Sequence, residues 1–382
     1  MNYKLSINMK KSSILALSFI ICLLSFSPAR ANDGVYYMNG NQLVPLTETD
    51  ITIAKEVLTI SIGDDGYARV DVQYEFMNNG KAKEVQMGFE ANAPYNDATA
   101  PLNKEGQHPY IHDFTVTMNG QRLHYTNAVV AFSYDGTDFQ PLDLNKWKPD
   151  HNLDCHELKE EGTDSITPFS YAYLFKAHFE KGLNTVHHTY RYMMSFGIGR
   201  TFEIPYWLKP AMRWANHQID DFTLRIKAEN TAKHFCLDDS LFQSAPFRVT
   251  QGTGKVRYVM RYGDTKTVEV SLRNGTVEWH GRNFVPACNI NISSADVLYE
   301  FSSDGMKLGT FYDRSEHFTL MFVDPKTVNK RILRNLPYAH RGYVFKSKEL
   351  QKYFRQLWWY MPDPQWQPST DDFKANEMKL IN

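Results

Sequence analysis

Residues 67–76 read YARVDVQYEF, and apolar and polar side chains alternate along the whole stretch. Successive side chains of a β-strand point to opposite faces, so one face collects Ala68, Val70, Val72, Tyr74 and Phe76. The other face receives the charged and polar residues that lie between them. The pattern therefore predicts a half-buried strand, with one face in a core and the other in water.

The same alternation recurs along most of the chain after residue 50. It predicts a hairpin from residues 57–62 to residues 67–76, and a strand at 114–118 that turns at Asn119-Gly120. Further strands are predicted at 221–228, 256–262, 268–272, 276–279, 288–293 and 318–323, with a turn at Asn274-Gly275. Sheets with one wet face are typical of antiparallel architecture. We therefore expect a mainly β body, an antiparallel β-sandwich of one unit or of two subdomains divided near residues 215–220.

Composition and charge divide the chain at about residue 325. With 42% hydrophobic and 14% aromatic residues, the chain is globular and not disordered. Residues 32–325 carry 27 Lys and Arg against 38 Asp and Glu, whereas residues 326–382 carry 11 against 5. A basic tail on an acidic body indicates either an anionic partner or docking of the tail on its own body.

The N-terminus has the order of features of a secretory signal peptide. Lys4, Lys10 and Lys11 precede an apolar run over residues 14–26, and Ala29-Arg30-Ala31 places small residues before a cleavage point. The run is too short for a permanent membrane span. We expect cleavage after Ala31, a periplasmic or secreted protein, and no stable membrane span after cleavage.

Three cysteines remain after this cleavage, namely Cys155, Cys236 and Cys288. In an oxidising compartment this number predicts one disulfide and one free thiol. We favour Cys236–Cys288, because both lie in the strand-rich region. The residues His151, Asp154, Cys155 and His156 fit a solvated loop better than a metal site, so neither a metal nor a cofactor is expected.

The motifs of common hydrolases are absent from the sequence. It contains no G-x-S-x-G, H-E-x-x-H or S-x-x-K pattern and no glycine-rich phosphate loop, so no catalytic residue is assigned. Asp and Glu are plentiful, and a pair of carboxylates in the β body could serve glycoside hydrolysis. A hydrolase acting on envelope polysaccharide or peptide therefore stays an alternative.

Residues 334–354 of the tail read RNLPYAHRGYVFKSKELQKYF, with Trp359-Tyr360-Met361-Pro362 downstream. With these residues the tail resembles the YARHG family. The resemblance implies a small extracellular bacterial domain, mostly helical, that binds something outside the cell. His340 and Arg341 stand in the reverse of the family's order. Pro337 removes an amide donor, so we expect the preceding helix to end or kink there, and a second helix is predicted from Lys348, capped by Ser347.

Aromatic and basic residues of the tail are the candidate ligand contacts. Trp358, Trp359 and Tyr360 cannot all point inward, so we expect at least one exposed ring beside basic side chains, an arrangement suited to a sugar or a protein interface. The candidate ligand-binding residues are Tyr338, His340, Arg341, Tyr343, Lys346, Lys348, Arg355, Trp358 and Trp359.

Four parts of the body carry a looser similarity: Asn32-Asp33, the strand pair near residues 51–76, residues 190–214 and residues 219–226. In these parts the body resembles a secreted bacterial domain of unknown function. The resemblance implies a location outside the cytoplasm and a β fold, and it implies no chemistry.

The sequence thus predicts three parts: a signal peptide at 1–31, a β-sandwich body at 32–325 and a YARHG-like helical module at 326–382. We expect an exported, non-enzymatic envelope protein whose partner is an envelope polymer or an extracellular protein. Nucleic acid is not expected as a partner, because the protein is exported. A structural protein with the tail docked on its own body is the second alternative.

Overall fold

The computed structural model describes most of the chain after residue 50. The longer described ranges are 50–96, 105–132, 141–151, 156–197, 200–229, 232–242, 245–260, 266–294 and 329–373. The shorter ones are 35–36, 43–45, 101–103, 153–154, 299–302, 305–308, 377–378 and 381. The predicted signal peptide, Cys155 and the strand predicted at 318–323 lie outside the described residues.

Twenty-two strands run through these ranges, and fourteen of them form the larger sheet. Those fourteen are β1 (Val35–Tyr36), β3 (Ile51–Ile62), β4 (Tyr67–Asn78), β6 (Tyr95–Asn96), β7 (Ile111–Met118), β8 (Gln121–Arg122), β13 (Gly182–Met193), β14 (Ser195–Gly197), β15 (Arg200–Tyr206), β16 (Ile219–Ala228), β17 (Lys233–Asp238), β18 (Arg248–Met260), β19 (Lys266–Phe284) and β20 (Ile290–Ser294). Their spatial order is β6-β1-β14-β15-β20-β17-β19-β16-β3-β4-β13-β7-β8, and β18 pairs with β19 at the side.

The other eight strands form a six-stranded sheet and a small hairpin. The six are β2 (Leu43–Pro45), β5 (Lys83–Asn92), β9 (Tyr125–Ala131), β10 (Trp147–Lys148), β11 (Glu157–Glu160) and β12 (Ile166–Phe179), and the hairpin joins β21 (Tyr299–Ser302) to β22 (Gly305–Leu308). Short 3-10 turns occupy Lys209–Arg213, Asp239–Leu241 and Thr370–Asp372.

The two large sheets pack face to face around an aromatic core. Phe89 on β5 lies with its ring centroid 5.1 Å from that of Phe114 on β7, and 4.8 Å from that of Tyr190 on β13. Phe76 on β4 contacts Phe179 on β12 in the same way. Because these strands belong to different sheets, the contacts define a β-sandwich, and the predicted fold class is confirmed.

Two of the predicted hairpins are present with the expected turns. β3 pairs with β4 in antiparallel fashion. β7 turns into β8 at Asn119 and Gly120, whose φ angles of 50° and 79° are the left-handed values that a two-residue turn requires.

One strand pair in the larger sheet is parallel. β16 lies beside β3 with Ile219 opposite Ile53 and Ala228 opposite Ile62. The strands on both sides of residues 215–220 therefore belong to a single sheet. The predicted division of the chain into domains stays a prediction.

The turn predicted at Asn274-Gly275 is wrong, because β19 runs through these residues without reversing. The first part of β19 pairs with β17 and the second part with β16. The Asn274 amide donates to the Glu229 carbonyl, and φ of 41° at Asn274 bends the strand between its two partners. The dipeptide serves here as a bend inside a paired strand.

The disulfide predicted between Cys236 and Cys288 is also absent, since both are free thiols. Cys236 is buried on β17, and its sulfur lies 3.6 Å from the Ser293 carbonyl oxygen. Cys288 lies outside the strands, and its sulfur is 3.9 Å from the Ser240 hydroxyl. The two sulfurs therefore have different neighbours, Ser293 for Cys236 and Ser240 for Cys288.

Two α-helices follow the β body, α1 (Lys330–His340) and α2 (Lys348–Arg355). Pro337 lies inside α1 and does not end it, so the expected end at this residue is wrong, whereas the expected kink stays a prediction. The helix ends three residues after the proline, at His340, and Gly342 follows with a φ of 82°. The Gly342 amide donates to the Ala339 carbonyl and the Tyr343 amide to the Tyr338 carbonyl, which is a Schellman motif.

Candidate functional site

The C-terminal domain, residues 329–373 of the described chain, has its own apolar core. The Phe345 and Phe354 rings stack at 4.7 Å, and the Tyr360 hydroxyl donates to the Tyr343 carbonyl at 2.6 Å. The other buried members of this core are Ile332, Leu333, Leu336, Ala339, Leu350 and Trp359. Most of the aromatic residues of the tail are therefore used inside the domain.

The outer face of β17, β18 and β19 carries polar side chains in two cross-strand rows. In the first row Ser271 lies between His234 and Lys255. In the second row Glu269 lies between Cys236 and Arg257. We call the set His234, Lys255, Arg257, Glu269, Ser271 and Arg273 the docking face. Ser271 is completely buried and Glu269 is 3% exposed, which is unusual for polar residues on the outside of a sheet.

The C-terminal domain covers this face. Arg273 donates to the Met361 carbonyl at 2.8 Å and lies 3.5 Å from the Asp363 carboxylate. Lys255 donates to the carbonyls of Trp358 and Tyr360, at 3.0 and 2.8 Å. These are charge-assisted hydrogen bonds from the body to the backbone of one loop of the domain. Burial lowers the pKa of Arg273 and of Lys255.

A cluster of three rings lies beside these bonds. His340, the last residue of α1, stacks on Trp359 with centroids 4.3 Å apart and planes 18° apart. Its ring also meets His234 of the body edge to face at 5.9 Å. His234 Nδ1 lies 2.8 Å from the Ser271 hydroxyl. Burial holds the pKa of His340 at about 3 and that of His234 well below its ordinary value, so both rings are neutral at pH 7.

Trp358 occupies the edge of the interface. The Arg257 guanidinium lies 4.3 Å from the centroid of its ring, and the same guanidinium pairs with Glu269. Trp358 is half-buried, whereas Trp359 is 1% exposed. Of the two tryptophans among the predicted contacts, Trp358 therefore offers surface to a ligand and Trp359 does not.

The YAHRG stretch, residues 338–342, builds the end of α1. Arg341 forms an ion pair with Glu377 at 2.8 Å, donates to the Asp372 and Pro337 carbonyls, and lies over the Phe373 ring. Tyr338 packs on Phe373. Gly342 packs against the Arg273 guanidinium so closely that a side chain there would overlap it.

The nine predicted ligand contacts therefore fall into two sets. One set holds the domain together or docks it, and it comprises Tyr338, His340, Arg341, Tyr343 and Trp359. The other set is available at the surface, and it comprises Lys346, Lys348, Arg355 and the half-buried Trp358. Ligand binding by all nine residues stays a prediction.

Lys352 belongs with the exposed cations, and the sequence prediction missed it. Lys348, Lys352 and Arg355 are spaced by four and three residues, which places them on one face of α2. We call Lys346, Lys348, Lys352 and Arg355 the basic strip. In the described chain none of the four forms an ion pair. The helical spacing alone could have revealed Lys352, whereas nothing in the sequence marks the docking face.

Two surface clefts lie elsewhere on the body. One, of about 350 Å³, lies over β3, β4, β7 and β13 and contains Glu75, which pairs with Lys55. The other, of about 430 Å³, contains Glu105 and Asp143 near Lys148, and both carboxylates are exposed. No group of three or more metal-ligating side chains that could hold an ion occurs among the described residues. The hydrolase alternative stays a prediction.

Two family models match this chain, one in the β-sandwich body and one in the C-terminal domain. Residues 31–259 match the family described as a domain of unknown function, DUF4424. The chain belongs to this family. Residues 327–382 match the YARHG domain, so the C-terminal domain is a YARHG domain.

Solved structures are similar to this chain only at low sequence identity. No curated protein matches the chain. A crystal structure of a Legionella pneumophila protein proposed to bind nutrients has 19% identity and a TM-score of 0.49, over 91% of this chain and 98% of that one. An M1 zinc metallopeptidase from Deinococcus radiodurans has 9% identity and a TM-score of 0.24, over 76% of this chain and 54% of that one. Within the described residues, no helix has the length and apolarity to cross a membrane.

Proposed function

We propose that this protein is an exported, non-enzymatic envelope protein that binds an anionic envelope polymer through the basic strip of its YARHG domain. The observation that supports this most is the division of the predicted contacts. Trp359 is buried, and Tyr338, His340, Arg341 and Tyr343 are only partly exposed and engaged in contacts within the domain or at the docking face. The exposed cations Lys348, Lys352 and Arg355 lie together on one face of α2.

The charge of the two parts favours an anionic partner of the strip. The domain is docked through its loop at Trp358–Asp363, which uses Lys255 and Arg273 of the body. The acidic body therefore does not neutralise the strip. Exposed cations attract polyanions at long range, and the half-buried Trp358 can supply a directional contact.

We expect export with cleavage after Ala31. The charged start, the apolar run and the small residues at 29 and 31 motivate this expectation. Mass spectrometry of the protein recovered from the periplasm or the medium should give Asn32 as the first residue. A mature chain that keeps residues 14–26 would contradict it.

Reversing the charge of the strip should abolish most of the binding. We expect the variant Lys348→Glu/Lys352→Glu/Arg355→Glu to lose about 10- to 100-fold in affinity for purified peptidoglycan, because each exposed pair contributes about 0.2–1 kcal/mol and three are reversed. Co-sedimentation of the mature chain measures it. Parent binding should weaken between 0.1 and 1 M salt, since the screening length falls from about 10 to about 3 Å.

A matched variant controls for net charge. Lys81→Glu/Lys181→Glu/Lys227→Glu reverses three exposed lysines of the body and should bind as the parent does. Equal losses in both variants would show that only net charge matters. Binding to phosphatidylglycerol vesicles but not to peptidoglycan would contradict a polymer ligand.

A structural role is the second candidate, and the docking contacts favour it specifically. If the strip variant binds every envelope fraction as the parent does, the tail is better explained as a structural domain that covers the docking face.

A further inference from the structure

The interface between body and YARHG domain contains one imidazole from each side. His234 comes from β17 of the body and His340 from the end of α1, and their ring centroids are 5.9 Å apart. Trp359 contacts both rings, at 6.0 and 4.3 Å. His234 is 2% exposed. Separation of the two parts would expose both rings to water.

We propose that this contact is an acid-released latch, in which protonation of His234 and His340 detaches the YARHG domain from the docking face. The latch concerns the docking of the domain and does not depend on what the basic strip binds.

The charges around the two rings oppose protonation in the docked state. Lys233 on β17 acts on His234, and Arg341 at the end of α1 acts on His340. The same interface also contains Lys255 and Arg257 on β18 and Arg273 on β19, which contact the loop of the YARHG domain. The anions are Asp64, Glu269, Asp363 and Glu377, and each already pairs with one cation. Lys255 adds a further positive charge that bonds only carbonyls. A protonated ring therefore enters a surface that already has an excess of positive charge.

The direction of the pH effect follows from the two states. In the docked state, burial first and Arg341 second hold the pKa of His340 at about 3. Burial, His340 and Lys233 hold the pKa of His234 well below its ordinary value. In the detached state both rings would be exposed, with a pKa near 6.5. The detached state then binds more protons below pH 6.5, so docking is strongest above pH 6.5 and is lost as the pH falls toward 3.

We expect protonation to weaken the docking equilibrium about tenfold per histidine for each pH unit below 6.5. At pH 5.5 the docking equilibrium should be roughly 100-fold weaker than at pH 7.5, since two rings each contribute one unit. Asp and Glu have ordinary pKa values near 4, so their own protonation contributes little in this window.

Hydrogen exchange of the mature chain without ligand tests the latch. After correction for intrinsic rates, amides of β18 and of residues 338–361 should lose protection between pH 7.5 and 5.5 more steeply than amides of β4 and β13. The internal comparison is needed because the body also contains buried His188 and His108, whose pKa values burial lowers to about 3.

Three variants separate the latch from general acid sensitivity. His340→Phe keeps the stack on Trp359, and His234→Asn keeps a partner for Ser271; each should halve the slope of the pH response, and the double variant should remove it. His178→Asn changes an exposed histidine of the body and should leave the slope unchanged. If a single variant already lowers the protection of these amides at pH 7.5, the test uses the change in its protection between pH 7.5 and pH 5.5 and not the absolute protection.

Two results would overturn the proposal. One is a double variant with the parent's pH response. The other is a parent protein whose docking-face amides and β13 amides lose protection equally steeply as the pH falls. Failure of the peptidoglycan experiment would leave this test unaffected, because no ligand is present in it.

Discussion

Replacing Trp359 by alanine is expected to destabilise the YARHG domain by about 3–5 kcal/mol, the range for large buried aromatic residues. The side chain is 1% exposed and packs against Phe354, His340 and His234. Its loss leaves a cavity that borders both the domain core and the docking face. Hydrogen exchange of α1 and α2 at pH 7.5 should report the loss as a fall in their opening free energy.

Trp358→Ala is the matched control. This ring is half-buried and lies under the Arg257 guanidinium, a contact of about 0.5–1 kcal/mol at an exposed site. We expect it to affect binding to the polymer more than the stability of the domain. Equal destabilisation by the two variants would contradict the assignment of one tryptophan to the core and the other to the surface.

Replacing Gly342 by alanine should have a comparable effect for a different reason. The residue has φ of 82°, and an added Cβ would overlap the Arg273 guanidinium and lie 2.5 Å from the Met361 carbonyl oxygen. The left-handed conformation costs about 1–2 kcal/mol. Displacing a buried, charged hydrogen bond costs about 1.5–3 kcal/mol more. We therefore expect a loss of about 3–5 kcal/mol in docking, seen as increased hydrogen exchange of β18 and residues 338–361.

Gly66→Ala separates the two contributions. Gly66 has φ of 85°, and nothing lies within 4 Å of the added Cβ. This variant should show the conformational cost alone, about 1–2 kcal/mol. If Gly342→Ala were no worse than Gly66→Ala, the close approach of Arg273 would carry no energetic weight.

Local patterns in the sequence predict well where the strands lie, but less well which strands pair with one another. The alternation over residues 67–76 determines which face of β4 is buried, because a strand has a period of two. The Asn-Gly dipeptides show the limit. Asn119-Gly120 turns a hairpin, whereas Asn274-Gly275 bends a strand that remains paired on both sides. The difference lies in β16 and β17, which pair with β19 on one side, and a local pattern does not reveal it.

The candidate site was likewise only partly predictable from the sequence. The basic and aromatic composition of the tail is visible in the sequence, and three of the four cations of the basic strip were predicted from it. Which tryptophan is buried depends on His234, Lys255 and Arg273, which lie about a hundred positions earlier. On their strands these residues occupy the positions that alternation assigns to water, so their burial under another domain could not be predicted. The disulfide prediction failed likewise, because it used strand context without the positions of the two sulfurs.

The parallel pairing of β3 with β16 constrains the order in which the chain can fold. The Ile53 amide bonds the Asn216 side chain 163 positions later in the sequence. Contacts between such distant segments form slowly, because a long loop must close first. The hairpin of β3 and β4 can form early, but one edge of β3 then waits until residues 219–228 have been synthesised. An unpaired edge is prone to join other chains, so the yield of folded protein should depend on how quickly the middle of the chain follows.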